Sequence, residues 1–289
     1  MSTRRVMIVG AHGQLGDAVC RVFADWDRVL HTHQTLDVTD PKAVASAVAD
    51  ASPAVVVNCA AFNDVDGAQD RPQDAFALNA FAVRSLARAA DACGAVLVHY
   101  GTDFVFDGTA TEPYNEGSAP SPRSAYAGSK LLGEWFGVEA SRGFVLRVES
   151  LFGMGPTWTG RLGTLDKIVR AMLAGQEVAA FTDRTVTPSY VEDVAAATRF
   201  LVETGAAPGL YHCVNSGAAT WHEVVVAAAA QLGLTPRLRA VTTDMVTMKA
   251  ARPKYCALSN DKLRAAGWAM PTWQEAVSRW LSGFVAEKG

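Results

Sequence analysis

The chain has 289 residues, 49% of them hydrophobic, and a formal charge of −3. It is long enough for a full α/β core, and its near-neutral balance excludes the strongly basic faces of nucleic-acid or anionic-membrane binders. It has no run of 18 apolar residues and no basic segment leading into an apolar one. The five cysteines (Cys20, Cys59, Cys93, Cys213, Cys256) form no Cys-x-x-Cys pair. A soluble, cytoplasmic protein with reduced thiols and no metal site is therefore expected.

The apolar run 6–9 meets three glycines spaced Gly10-x-x-Gly13-x-x-Gly16. A strand that turns sharply into a helix needs residues free to take positive φ. A phosphate on a helix N-terminus needs bare N–H groups with no Cβ in the way. Gly10 and Gly13 answer those needs, and Gly16 lets the helix pack on the sheet. The helix carries Leu15, Ala18, Val19 and Val22 on one face and is predicted to reach about Asp25. This context favours a dinucleotide site over a purely structural turn.

A short strand is expected at 28–32 and an extended piece at 36–39. Asp40 caps, and Pro41 opens, a helix to Ala51. The apolar run 54–61 suits a parallel strand buried on both faces. One long helix, 72–93, stops at Gly94. Then come a strand at 95–100, a Gly/Pro/Ser/Thr loop at 106–122, a helix at 125–139 and a strand at 144–148. Such βα alternation predicts an open parallel sheet, helices on both faces, with ligands at the strands' carboxyl ends. Gly10, Ala60, Thr102 and Glu149 lie at or just past those ends and are expected to share one crevice. The second half alternates less regularly. It has helices at about 164–174, 192–202 and 221–232, strands at 185–191 and 210–214, and two short C-terminal helices opened near Asn260 and Thr272.

Tyr126 and Lys130 stand at i, i+4, so on a helix they share a face. A nearby ammonium favours the phenolate and lowers the phenol's pKa. Such a pair can pass a proton to a carbonyl oxygen as a hydride arrives. Thr102 ends its strand with a hydroxyl that can orient the same oxygen. Read singly, Tyr126–Lys130 could be a surface contact and Thr102 a residue bonding its own backbone.

Together these residues occur in the order found in extended short-chain dehydrogenases/reductases. Finer matches resemble the dTDP-4-dehydrorhamnose reductases: Leu36-Asp37-Val38-Thr39-Asp40, Val57-Asn58-Cys59-Ala60-Ala61-Phe62 with Val65-Asp66, and Thr102-Asp103-Phe104-Val105-Phe106-Asp107-Gly108. Further matches are Gly209-Leu210-Tyr211-His212, Thr220-Trp221, and Arg252-Pro253 before Leu258-Ser259. The likeness covers nearly the whole chain. It implies an α/β, Rossmann-type doubly wound parallel sheet with a smaller, interlocked C-terminal substrate lobe. The division expected is 1–153, joined by 178–204, as the NAD(P)-binding domain, and 154–177 with 205–289 as the substrate lobe.

The resemblance also implies a hydride passed from a nicotinamide to the C4 ketone of a nucleotide-linked deoxysugar. Tyr126 would donate the proton, Lys130 would hold the nicotinamide ribose and lower the tyrosine pKa, and Thr102 would bind the substrate oxygen. Cofactor contacts are expected at Gly10, Gly13, Gln14, Leu15, Gly16, Asp37 and Val38 (adenine), Cys59, Ala60, Ala61 and Asn79, besides Tyr126 and Lys130. Substrate contacts are expected at Asp103, Phe104, Glu149, Ser150, Arg184 and Arg252, the two arginines facing a diphosphate.

The family usually reads Arg-Thr-Ser-Trp-Val-Tyr-Gly after the catalytic helix. This chain has Arg147-Val148-Glu149-Ser150-Leu151-Phe152-Gly153, so a reshaped sugar pocket is expected where Ser150 stands in the tryptophan position. The second strand ends in His31-Thr32-His33-Gln34 without an acid for the ribose 2′-OH, which favours NADP(H) and leaves NAD(H) open. A homodimer is a further option. Two alternatives stand beside the reductase: an epimerase or dehydratase with retained cofactor, and a non-catalytic NADP-binding regulatory subunit.

Overall fold

In the computed structural model, residues 4–154, 158 and 160–286 are described. Strand β1 (Arg5–Val9) alternates its side chains between two cores, as a period of two requires. Val6 and Ile8 pack on one face, Met7 and Val9 on the other. Helix α1 (Gln14–Val22) follows, then β2 (Asp27–His31), α2 (Pro41–Ala51) and β3 (Val55–Asn58). Asp40 caps α2 as expected, its carboxylate accepting from the backbone N–H groups of Lys42 and Ala43. The stretch 36–39 is a turn rather than a strand: Asp37 bonds the backbone and hydroxyl of Thr39, satisfying locally what a sheet would otherwise supply.

The helix expected at 72–93 is interrupted. After the single turn α3 (Gly67–Asp70) come α4 (Pro72–Phe76), a π-turn at Ala77–Phe81 and α5 (Ala82–Cys93). Apolar periodicity does not reveal the extra residue of a π-turn, and such turns favour functional sites. Here it holds Asn79 inward. Strand β4 (Val96–Thr102) is buried along its whole length. Helix α6 (Ala125–Glu139) is capped by Ser124, and β5 (Gly143–Val148) follows.

The second half supplies β6 (Leu151–Phe152), α7 (Thr164–Leu173), β7 (Val178–Phe181), β8 (Thr185–Val186), β9 (Ser189–Tyr190) and α8 (Val191–Thr204). After these come β10 (Gly209–His212), β11 (Ala219–Thr220), α9 (Trp221–Gln231), β12 (Leu238–Val241), α10 (Asp261–Ala265) and α11 (Trp273–Ala286). The main sheet has six strands in the order β2-β1-β3-β4-β5-β10, with every neighbouring pair parallel. The order reverses between β1 and β3, the switch point at which such sheets bind ligands. Helices α1 and α8 cover one face, through Leu15, Val19, Val194 and Leu201. Helices α2 and α5 cover the other, through Val44, Val48 and Leu86.

A separate core joins Phe152, Leu165, Trp221, Trp273 and Trp280 to α7, α9 and α11. Three two-stranded sheets, β6–β9, β7–β12 and β8–β11, brace it. Strand β10, placed by sequence in the second lobe, completes the edge of the main sheet. Strand β7, placed in the first, pairs with β12 instead. Two short strands of similar composition cannot be assigned to a sheet without their partners. Among the described residues no helix is long and apolar enough to cross a membrane.

Candidate active site

At the β1 end Gly10 takes φ +77°, and a Cβ there would stand 2.7 Å from the Ala60 nitrogen. A Cβ on Gly16 would meet the Gly10 carbonyl oxygen at 2.1 Å. Both glycines are therefore required by backbone packing where β1 and β3 run side by side. Gly13 is the N-cap of α1 and gives no side-chain cap, so the first N–H groups of that helix face the crevice unshielded. Gly13, Gln14, Leu15, Cys59, Ala60 and Ala61 line one end of a crevice of about 580 Å³. This uncapped helix start, bordered by the small residues Ala60 and Ala61, fits a dinucleotide pyrophosphate.

Gly10 and Gly16 lie behind the wall. Asp37 and Val38 also lie away from the lining: Asp37 is turned onto Thr39, and Val38 is packed in the core. Asn79 is buried beneath the crevice. Its amide oxygen accepts from the Phe62 N–H at 2.7 Å and its nitrogen donates to Ser129 Oγ at 3.0 Å, tying the β3 loop to α6. A Cβ on Gly133 of α6 would lie 2.0 Å from the Asn79 carbonyl, so a glycine is needed for α6 to sit this close to the π-turn.

Thr102, Tyr126 and Lys130 all line the crevice, at its middle. Thr102 Oγ1 donates to Asp103 Oδ1 at 3.0 Å and accepts from the Phe104 N–H at 3.3 Å. Tyr126 packs edge-on against Phe104. Burial raises its phenol above the ordinary tyrosine value, against the opposing pull of Thr102 and Arg161. The lysine-lowered phenol expected from the i, i+4 spacing is thus not what dominates here. Lys130 Nζ donates to the Tyr100 carbonyl at 2.5 Å, and desolvation brings its own pKa down to about 8. Buried amines lose charge more readily than exposed ones.

One helical turn on, Glu134 continues the Tyr126, Lys130 face. Its carboxylate accepts from Arg147 Nε and Nη2, the latter at 2.8 Å, and from the Thr102 N–H at 3.4 Å. Arg147 also lies over the Phe106 ring and meets His212 Nε2 at 3.3 Å. Burial and the Arg147 charge hold His212 neutral, its pKa down to about 3. This buried pair fixes the strand end that carries Thr102. Sequence reading missed it, although the repeated i+4 step from Lys130 to Glu134 was visible.

At the far end of the crevice stand Asp103, Phe104, Ser150, Arg184 and Arg252. Ser150 takes φ +46°, uncommon for a residue with a Cβ and frequent at functional sites. Arg184 lies over Phe181 and donates to the Pro253 carbonyl at 3.3 Å. Arg252 makes a two-pronged bond to Asp66, each prong 3.0 Å, and so ties the second lobe to α3's loop across the opening. Lys249 pairs with Asp70 beside it. Glu149 does not line the crevice; it is buried behind Asp103. Asp166, also unforeseen, accepts from Gln14 Nε2 at 3.0 Å and from the Gly153 and Met154 N–H groups, joining α7 to the start of α1.

The parallel sheet with its switch-point glycine turn and the Tyr126-x-x-x-Lys130 helix defines a Rossmann-type fold of the short-chain dehydrogenase/reductase class. The family model described as the RmlD substrate binding domain matches residues 4–285, and the chain belongs to that family. It is 35% identical over 285 residues to a dTDP-4-dehydrorhamnose reductase of Streptomyces griseus, covering 95% of this chain and 92% of the relative. It is also 35% identical over 284 residues to a probable dTDP-4,6-dihydroxy-2-methyloxan-3-one 4-ketoreductase of Streptomyces antibioticus, covering 94% and 93%. The solved structure of the dTDP-4-dehydrorhamnose reductase of Bacillus anthracis in complex with NADP superposes with TM-score 0.91 at 30% identity, covering 97% of this chain and 99% of that one.

Proposed function

We propose that the protein is an NAD(P)H-dependent reductase of a dTDP-linked 4-keto-deoxysugar. The observation that carries this reading is the placement of the Thr102 and Tyr126 hydroxyls in one crevice with the unshielded N-terminus of α1. Gly13, Gln14 and Leu15 would hold the pyrophosphate, and Lys130 the nicotinamide ribose. The cofactor supplies a hydride to the sugar's C4. Thr102 orients the ketone oxygen, and Tyr126 gives it the proton, becoming a phenolate eased by Thr102 and the Arg161 charge. NADP(H) is favoured because β2 ends in His31 without a carboxylate to repel a 2′-phosphate. The two relatives at equal identity act by name on different sugars, so the reading stops at the class. Asp37, Val38 and Asn79 stay in it as cofactor contacts or supports, and Asp103, Phe104, Ser150, Arg184 and Arg252 as the sugar-nucleotide wall.

The division into a cofactor domain and a substrate lobe belongs to the same reading, with β10 reassigned to the first. So does a cytoplasmic location, which five free thiols favour. A homodimer is favoured by the exposed Phe81, Trp135 and Val138 on neighbouring helices, and sedimentation equilibrium tests it.

The activity test follows NADPH and NADH absorbance with a panel of dTDP-, UDP- and GDP-linked 4-keto sugars. The expected result is substrate-dependent oxidation with a dTDP sugar, reduced roughly 10²- to 10⁴-fold in Tyr126→Phe. Tight cofactor binding without turnover of any sugar would overturn the reading in favour of a binding subunit. Isomerised product without net oxidation would point to an epimerase.

A further inference from the structure

Behind Thr102 lie two carboxyls that the reductase chemistry above does not use together. Asp103 is 5% exposed and Glu149 1%. An oxygen of each, and the Cys256 Sγ, all lie within 4.8 Å of one another. No well-aligned hydrogen bond reaches either Glu149 oxygen among the described residues, and the backbone N–H and hydroxyl of Thr187 beside it only partly offset its burial. The groups facing the pair are Arg184, Thr187, Cys256, Tyr126 and Tyr255. The Cys256 thiol lies 3.5 Å from the Pro253 carbonyl and also within donating reach of Asp103, and Arg184 is the cation that offsets the pair. Two carboxylates this close and this dry do not both ionise at modest cost.

We propose that Asp103 and Glu149 hold one proton between them, and that its position sets the direction of the Thr102 hydroxyl, which makes Glu149 a positioning residue. The argument is a count of hydrogens. Thr102 has one hydroxyl proton, and its Oγ1 lies 3.0 Å from Asp103 Oδ1. With the shared proton on Glu149, Asp103 is a carboxylate and takes the Thr102 proton, leaving only lone pairs to face a substrate oxygen. When the proton passes to Asp103, the Glu149 O–H breaks and an Asp103 O–H forms. Asp103 then donates to Thr102 Oγ1, and the Thr102 proton is free to point at the ketone. Burial supports the count: Asp103 is raised to about 6 and Glu149 well above the ordinary carboxylate range, so the pair keeps a proton at neutral pH. The inference rests on the reductase reading only for the identity of the oxygen that Thr102 serves.

Glu149→Gln removes the shared proton and leaves Asp103 a lone acid with no second carboxyl to exchange it with. The expected result is a kcat lower by roughly tenfold, cofactor affinity unchanged, and an alkaline limb moved down by about one pH unit. Adding Asp103→Asn, whose amide donates permanently to Thr102, is expected to raise kcat above that of Glu149→Gln alone. An infrared spectrum of the wild-type protein at neutral pH is expected to show a protonated-carboxyl band that Glu149→Gln removes, a reading independent of turnover and of any sugar. If no sugar is reduced, the proposed function fails while this band still decides the pair. The inference is overturned by a missing band, by an unchanged pH profile in Glu149→Gln, or by a double variant slower than Glu149→Gln. It is equally overturned if chelation abolishes wild-type activity and Zn²⁺ or Mg²⁺ restores it, since the cluster then holds a cation instead of a proton.

Discussion

The two ends of the crevice are built on opposite principles. The end at Gly10–Gly16 is made of backbone: N–H groups, glycines without room for a Cβ, and the small residues Ala60 and Ala61. The other end is made of charge: Asp103 with Glu149, Arg184 over Phe181, Arg252 on Asp66, and beneath Thr102 the Glu134–Arg147 pair. The backbone end has no room for a Cβ at Gly10 or Gly16 and is nearly indifferent to pH. A wall of buried charge answers to pH and to partners far away in the chain.

The largest effect is expected where one buried charge is stranded. Arg147→Met leaves Glu134 buried without its partner and should cost about 3–5 kcal/mol, read from the denaturant midpoint. Glu134→Gln in the same chain should recover most of that, and failure to recover would mean that volume, not charge, governs the charged end.

Next comes the backbone end. Gly16→Ala would place a methyl 2.1 Å from the Gly10 oxygen, whereas Gly13→Ala would meet the same oxygen at 3.3 Å. NADPH binding, followed by fluorescence, should weaken by roughly 2–3 kcal/mol in the first and by under about 1 kcal/mol in the second. Equal losses would break the idea that this end is set by close approach.

Lys130 stands between the two ends and sharpens the contrast. Its folded pKa, about 8, lies below its ordinary value of 10.5. Below pH 8 the folded chain carries the full cost of a buried ammonium. Between 8 and 10.5 the unfolded chain holds the extra proton, so stability rises with pH. Lys130→Met should therefore lose activity yet gain about 2 kcal/mol of stability at pH 7, with the gain shrinking towards pH 10, as thermal melts across pH would show.

The smallest effect belongs to the strap across the opening. Arg252 and Asp66 are partly solvated, so Arg252→Ala should cost under about 1 kcal/mol. It should appear as a severalfold rise in KM for the sugar with the cofactor's Kd unchanged.

Sequence legibility followed the same divide. Gly10, Gly13 and Gly16 were readable because a strand, a turn and a helix start are contiguous, and backbone demands leave a mark at fixed spacing. Tyr126 and Lys130 were readable because the pitch of a helix puts i and i+4 on one face, and Asp40 announced its helix by capping chemistry. The π-turn that seats Asn79 was not readable, since one extra residue hardly disturbs an apolar period. Nor was the attachment of β10 to the main sheet, because a four-residue strand does not name its neighbour.

By itself the sequence determined the order of most elements, the glycine turn and the hydroxyls proposed for the reacting centre, all of which depend on residues close together in the chain. Only the tertiary structure decided what those hydroxyls feel. It turned Lys130 onto the Tyr100 carbonyl, engaged Arg252 with Asp66, and took Glu149 out of the crevice wall to stand behind Asp103. Burial and charge pairing depend on residues tens to hundreds of positions apart, and the electrostatics of a site exist only once those residues have been brought together and dried.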